Sequence, residues 1–215
     1  MTKDLTIGEQ IVLLALDEET GELREAPLRV SLAVSAAALL ELTFSGGLTA
    51  REGALVVDGE PASADPAAAA MAAHARSHPE QSPREWLLAL REPALDAAYQ
   101  GLSRKGVVGE QGRRILGAFG SVKHPVTDPA ALATLRGRLE AVLTEGGRPD
   151  ERTAALITVL HHAGLQSVVT REAGTEAVES RLAEIADGQG TAAALGDTIR
   201  TTVAALTAVI AASAL

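Results

Sequence analysis

From Leu28 to Phe44 the chain is apolar on nearly every face of a helix, and Gly46-Gly47 closes the run. A helix of that kind has no side to give to water, so it belongs at the centre of a protein with other elements wrapped around it. Hydrophobic residues make up 47% of the 215-residue chain but aromatics only 2%, so Leu, Val, Ile and above all Ala must fill the interior. Small side chains let helices approach closely, and the length suffices to bury one proper core. The expected fold is mainly α, a single compact helical domain over residues 1–215 with two short β-hairpins, one of them protruding.

Local chemistry places the other elements. Thr6-Ile7-Gly8-Glu9 fits a capping box ahead of Ile11, Leu13, Leu14 and Leu16, and Asp17 to Gly21 reads as a turn. Leu48 to Ala50 and Leu55 to Val57 read as a small hairpin through Arg51-Glu52-Gly53, followed by a Pro- and Ala-rich link to Pro66. Ala67 to Ser77 reads as helix. Ser82-Pro83-Arg84-Glu85 starts another, whose buried face carries Trp86, Leu87 and Leu90, and Pro93 to Arg104 reads as a further helix ending at Gly106. Val107-Val108 then pairs with Ile115-Leu116 or with Phe119 to Val122, and Pro125 to Pro129 turns the chain. Asp128 caps a helix carrying Leu132, Leu135, Leu139 and Leu143, which Gly146-Gly147-Arg148-Pro149 stops. Arg152 to Ala163, Thr175 to Ala186 and Thr191 to Ala214 complete the helical set. The uncharged run from Thr201 to Leu215 is shorter than the ~20 residues of a membrane span and reads as a buried terminal helix.

One stretch stands out functionally. Arg113-Arg114-Ile115-Leu116-Gly117-Ala118-Phe119-Gly120-Ser121-Val122-Lys123-His124 sets an apolar tip between basic shoulders in a chain of net charge −9. Apolar side chains can enter the headgroup boundary of a bilayer, and each flanking Lys or Arg adds about 1 kcal/mol near anionic lipid. The same pattern also suits an ordinary core hairpin. Arg104 and Lys105 extend the basic cluster, interrupted only by Glu110.

Most other chemistry is absent. With no cysteine there is neither a disulfide framework nor a thiol nucleophile, and a reducing cytoplasm suits the chain. The amino terminus has no basic start and apolar core of a signal peptide, so export is not expected. His74 and His78 lie four apart on a helix but have no acidic or cysteine ligand at a metal-site spacing, and the adjacent pair His161-His162 points two ways. Around Ser121 a nucleophile elbow lacks its second glycine, and no glycine-rich phosphate loop occurs. Leu95 to Leu102 offers few side chains for reading bases, and an acidic balance disfavours nucleic acid. No enzyme activity, cofactor or metal is expected.

Leu5-Thr6-Ile7-Gly8-Glu9-Gln10-Ile11-Val12-Leu13-Leu14-Ala15-Leu16 followed by Asp17 to Leu23 resembles the opening of the Golgi phosphoprotein 3 family, also called the GPP34 domain. Leu39 to Leu48 resembles its central helix and first hairpin, and Arg104 to Val108 with Lys123 to Asp128 its frame for a protruding hairpin. Ala154 to Ala163 is similar to a later family helix. The resemblance implies a mostly helical peripheral membrane protein. Eukaryotic members bind phosphatidylinositol 4-phosphate and retain Golgi enzymes, and their hairpin contributes to membrane contact and self-association. Here the implied membrane-contact hairpin carries Arg113, Arg114, Ile115, Leu116, Phe119 and Lys123.

The family's headgroup-binding tryptophan and arginines align near Ala26, Ser35, Glu92 and Leu95, none of which can replace a guanidinium on phosphate. Arg29 and Arg91 lie near these positions and are the candidate headgroup residues. The basic amino-terminal arm with which eukaryotic members engage vesicle coats has no counterpart, and abundant Ala and Gly with Arg in excess of Lys suggest a bacterial genome of high GC content. Two readings follow. One is a cytoplasmic adaptor, peripheral at anionic membrane, with phosphatidylinositol 4-phosphate as the family's lipid and an unknown protein cargo. The other is a soluble helical interaction module whose hairpin joins copies of the chain into an oligomer.

Overall fold

Thr6 starts the first helix as its sequence dictates: its hydroxyl accepts from the Glu9 amide, and the Glu9 carboxylate accepts from the Thr6 amide. A computed structural model describes residues 4–52, 54–58, 63–112, 122–170, 176–187, 201–202 and 204–208. In order these form α1 (Ile7–Ala15), α2 (Pro27–Phe44), β1 (Leu48–Arg51), β2 (Ala54–Val57), α3 (Pro66–Ser77), α4 (Pro83–Arg104), α5 (Pro129–Leu143), α6 (Glu151–His162), a 3-10 turn at Gln166–Val168, and α7 (Glu176–Ala186). Residues 201–202 and 204–208 are helical, with Thr202 and Leu206 buried, and the rest of the expected terminal helix lies outside the described residues.

The central helix is α2. It is long and apolar enough to cross a membrane by length and composition, but 78% of it is buried inside the protein. It packs on α1, α3, α4 and α6. Ala33, Ala36, Ala37 and Ala38 are all buried along it, so the close packing that an Ala-rich interior allows is realised here. The buried apolar residues form one continuous core. β1 and β2 make an antiparallel pair with Leu48 opposite Val57 and Arg51 opposite Ala54.

Two expectations need correction. Pro83–Arg104 is one helix of 22 residues with Pro93 inside it, where the sequence suggested two. An interior proline costs roughly 3 kcal/mol in a helix. Trp86 and Leu87 before it and Ala94, Leu95, Ala98 and Leu102 after it are all buried, and that apolar burial offsets the loss. The helix then ends at left-handed Gly106, with the Val107 amide donating back to the Leu102 carbonyl.

The second correction concerns the partner of Val108, which bridges to Val126 and not to Val122, while Gln111 bridges to Lys123. Pro125 lacks an amide but supplies a carbonyl that accepts from Gly109 at 2.8 Å, so the segment expected to begin a turn forms one side of the hairpin base. The other expected partners, Ile115-Leu116 and residues 119–121, lie outside the described residues.

Candidate functional site

The base of the second hairpin is built against the turn that joins α1 to α2. Asp17 organises that turn: one carboxylate oxygen accepts from the amides of Glu19 and Thr20 and from the Thr20 hydroxyl, while the other meets Arg24 at 2.6 Å. The Thr20 amide holds the Asp17 carboxyl below its ordinary range. The turn closes at Gly21, whose φ of +67° suits glycine and whose carbonyl accepts from the His124 amide at 2.9 Å. A Cβ at this position would stand 2.3 Å from the Pro125 nitrogen. Two independent demands therefore fall on one glycine.

Side chains reinforce the junction. His124 stacks on Tyr99 of α4 with centroids 4.1 Å apart and planes 19° from parallel. Burial of Tyr99 pushes its phenol up to about 12. Lys123 pairs with Glu22 at 3.0 Å, and Gln111 and Lys123 exchange two backbone hydrogen bonds of 2.8 Å. Whatever the hairpin carries at its tip is thus presented from a base tied to α4 and to the α1–α2 turn.

The expected tip residues Arg113, Arg114, Ile115, Leu116 and Phe119 lie outside the described residues. The rest of the basic cluster is largely neutralised. Lys105 donates to Glu9 at 2.5 Å and to the Asp4 carbonyl, and Lys123 is held by Glu22. Arg104 remains exposed at the end of α4.

The candidate headgroup residues go separate ways. Arg29 lies in the first turn of α2 and reaches the Gly164 carbonyl at 3.4 Å, whereas Arg91 folds back on the Leu88 carbonyl and lies 3.4 Å from Glu92. No hydrogen bond or ion pair joins them among the described residues. Ser35 is fully buried and its hydroxyl donates to the Leu87 carbonyl, and Leu95 lies in the core. Ala26 precedes α2 without a side-chain cap.

A buried charge cluster was not expected from the sequence. Glu9 and Glu41 are 4% and 6% exposed, and each accepts from a free amide at the start of α1, Glu9 from Thr6 and Glu41 from Ile7. Lys105 and Arg152 respectively supply the countercharges. Arg152 also sits 5.0 Å above the Phe44 ring. Burial raises the Asp65 carboxyl, and the charges of Glu41 and Glu9 raise it further. This arrangement joins α1, α2, α4 and α6, so it reads as internal bracing. Beside it lies an open cleft of about 600 Å³ lined by Gln10, Leu135, Arg138, Asp150 and Arg152, with Arg138 donating to Gln10 and Arg152 to Glu41. Among the described residues no group of three or more His, Cys, Asp or Glu is placed to hold a metal ion.

A family model described as Golgi phosphoprotein 3 (GPP34) matches residues 7–202. No curated protein matches the chain.

Proposed function

Because the chain belongs to the Golgi phosphoprotein 3 (GPP34) family, we propose that it is a non-enzymatic adaptor that docks on anionic phospholipid through the 113–124 hairpin. The remaining surface holds a protein cargo. The observation that carries this reading is the tethered hairpin base, where Gly21, Tyr99 and Glu22 hold Lys123 and His124, and Gln111 pairs with Lys123 across the base of a sequence with an apolar, basic tip. A fixed base lowers the ordering cost of insertion and sets how the body faces the bilayer. The place of action is cytoplasmic and peripheral at a membrane, in a bacterium the plasma membrane.

Lipid choice follows charge in this reading. Phosphatidylinositol 4-phosphate is the lipid of the eukaryotic family members, but here Ser35 is buried and Arg29 and Arg91 serve different partners. Since Lys105 and Lys123 are already paired with carboxylates, attraction to lipid falls mainly on Arg113 and Arg114, with the exposed Arg104 beside them. The double reversal Arg113→Glu, Arg114→Glu removes about 2 kcal/mol or more, a loss of roughly thirtyfold in vesicle binding. Unchanged binding would overturn the electrostatic part.

The same neutralisation favours a second reading, in which the hairpin packs into another copy of the chain and never meets lipid. Phe119→Asp then dissociates an oligomer in solution while leaving lipid binding unaltered, and an intact oligomer counts against it.

A further inference from the structure

We propose that the open cleft between α1, α5 and the start of α6 binds a short free peptide of about four small apolar residues, holding it by its two charged ends. The site does not involve the hairpin and does not rest on the membrane reading. Its volume of about 600 Å³ lies in the range of small-ligand sites.

One wall of the cleft is a single face of α5. Asp128, Ala131, Leu135 and Arg138 follow one another at three- and four-residue spacing, which lines them up along the helix. Asp128 caps the amino end, and Arg138 lies nearly three turns further on with its long side chain leaning back. At ~1.5 Å per residue, a carboxylate and a guanidinium therefore stand roughly 10–15 Å apart on this face. Between them α5 offers Ala131 and the buried Leu135, and Leu5, also buried, lines the same cleft.

The basic end is built for an anion. Arg138 donates to the side-chain oxygen of Gln10, which is 6% exposed and whose own Nε2 donates to the Leu5 carbonyl at 2.8 Å. A neutral amide thus aims the guanidinium, and no ion pair holds Arg138 among the described residues. A guanidinium carries five N–H donors and matches a carboxylate at two points, so donors are left for a ligand after Gln10 is served. Arg152, fixed by Glu41 and by the Phe44 ring, adds a second guanidinium to the lining. Asp150 lies beside them, but its carboxylate accepts from the Thr153 amide at 2.7 Å and serves the start of α6.

The acidic charge of Asp128 marks the other end, and the exposed Asp4 adds a further carboxylate to the lining. A cleft with both signs of charge and apolar surface between them suits a zwitterion better than a simple anion or cation. An extended chain spans about 3.3–3.6 Å per residue, so about four residues put a free carboxylate on Arg138 while the free ammonium reaches Asp128.

The test titrates the 15N-labelled full chain with tetra-L-alanine at low salt and follows backbone amide shifts. Saturable shifts are expected at Leu5, Gln10, Ala131, Leu135 and Arg138. Acetylating the peptide's amino end, or converting its carboxyl end to the amide, is expected to weaken binding by at least about tenfold in each case, since each removes a charge-assisted contact. Arg138→Gln is expected to abolish the preference for the free carboxylate and keep that for the free amine. Asp128→Asn, which keeps a good helix cap, is expected to do the converse. Tetraalanine that gives no saturable shifts at these amides overturns the proposal, as do blocked peptides that bind as tightly as the free one. End preferences that both survive in the two variants overturn it as well.

Discussion

Gly101 on α4 lies directly against the carboxylate of Glu9 on α1: a Cβ at 101 would stand 2.1 Å from Glu9 Oε1. The two helices can pass each other with a buried ion pair between them only because this position is bare. Glu9 cannot simply swing away, since it would give up the Thr6 amide and Lys105 and leave a buried charge uncompensated.

Gly101→Ala is therefore expected to destabilise the protein although alanine is the better helix former. Overpacking costs about 1–3 kcal/mol and outweighs a propensity gain of about 1 kcal/mol. Gly137→Ala on α5, where nothing lies within 4 Å, is expected to gain most of that propensity term. Urea midpoints of the two variants measure the contrast, and equal shifts would show that Glu9 yields freely.

Gly21→Ala places strain and a clash at the hairpin base, given the φ of +67° and the 2.3 Å approach to Pro125. The expected outcome is faster amide exchange at Gly109, Gln111, Lys123 and His124, with helix α2 little affected. Vesicle binding falls with it if the tethered base is what presents the tip. Undisturbed exchange at these four amides would show that the turn does not hold the hairpin.

Asp65 caps α3 through the Ala67 amide while burial and two neighbouring carboxylates raise its pKa. A raised carboxyl favours folding below its unfolded value of 3.8, and that contribution is lost as pH climbs through the folded value. Asp65→Asn keeps a good cap without the charge, so it is expected to be more stable than wild type near neutrality and to converge with it at about pH 3–4. Asp65→Ala loses the cap, worth about 1 kcal/mol. An Asn variant less stable than wild type at neutral pH contradicts the assignment.

His162 has its pKa lowered by burial and then by the neighbouring His161, with Asp187 opposing them. The unfolded chain binds the proton more readily, so the contribution of this residue is full above its unfolded value of 6.5 and is lost as pH falls toward the folded value. His162→Gln is expected to flatten the acid side of the stability profile. An unchanged slope below about pH 7 would assign the acid sensitivity elsewhere.

What could be read from the sequence was local. The capping box at Thr6, the caps at Ser82 and Asp128 and the all-round apolar α2 depend on residues within a few positions of each other, and all occur as expected. Pro93 misled because a proline rule is also local, whereas the continuity of α4 comes from burial along its whole length. Lys105 looked like part of a free basic patch because its partner, Glu9, is 96 residues away. Likewise Asp17 to Gly21 announced a turn, but nothing nearby in sequence says that His124 and Pro125 rest on it. The residues themselves marked a hairpin after Val107-Val108, and the pairing of Val108 with Val126 came only with the fold.

The most direct test of the adaptor reading is flotation of the purified chain with vesicles that are neutral, generically anionic, or matched in charge with phosphatidylinositol 4-phosphate, each at low and near-physiological salt. The account predicts flotation with both anionic kinds to a similar extent, weakening as salt rises, and none with neutral vesicles. Flotation confined to the phosphoinositide would contradict the charge-based choice of lipid and turn attention to Arg29 and Arg91. No flotation with any anionic vesicle at low salt would contradict membrane docking altogether.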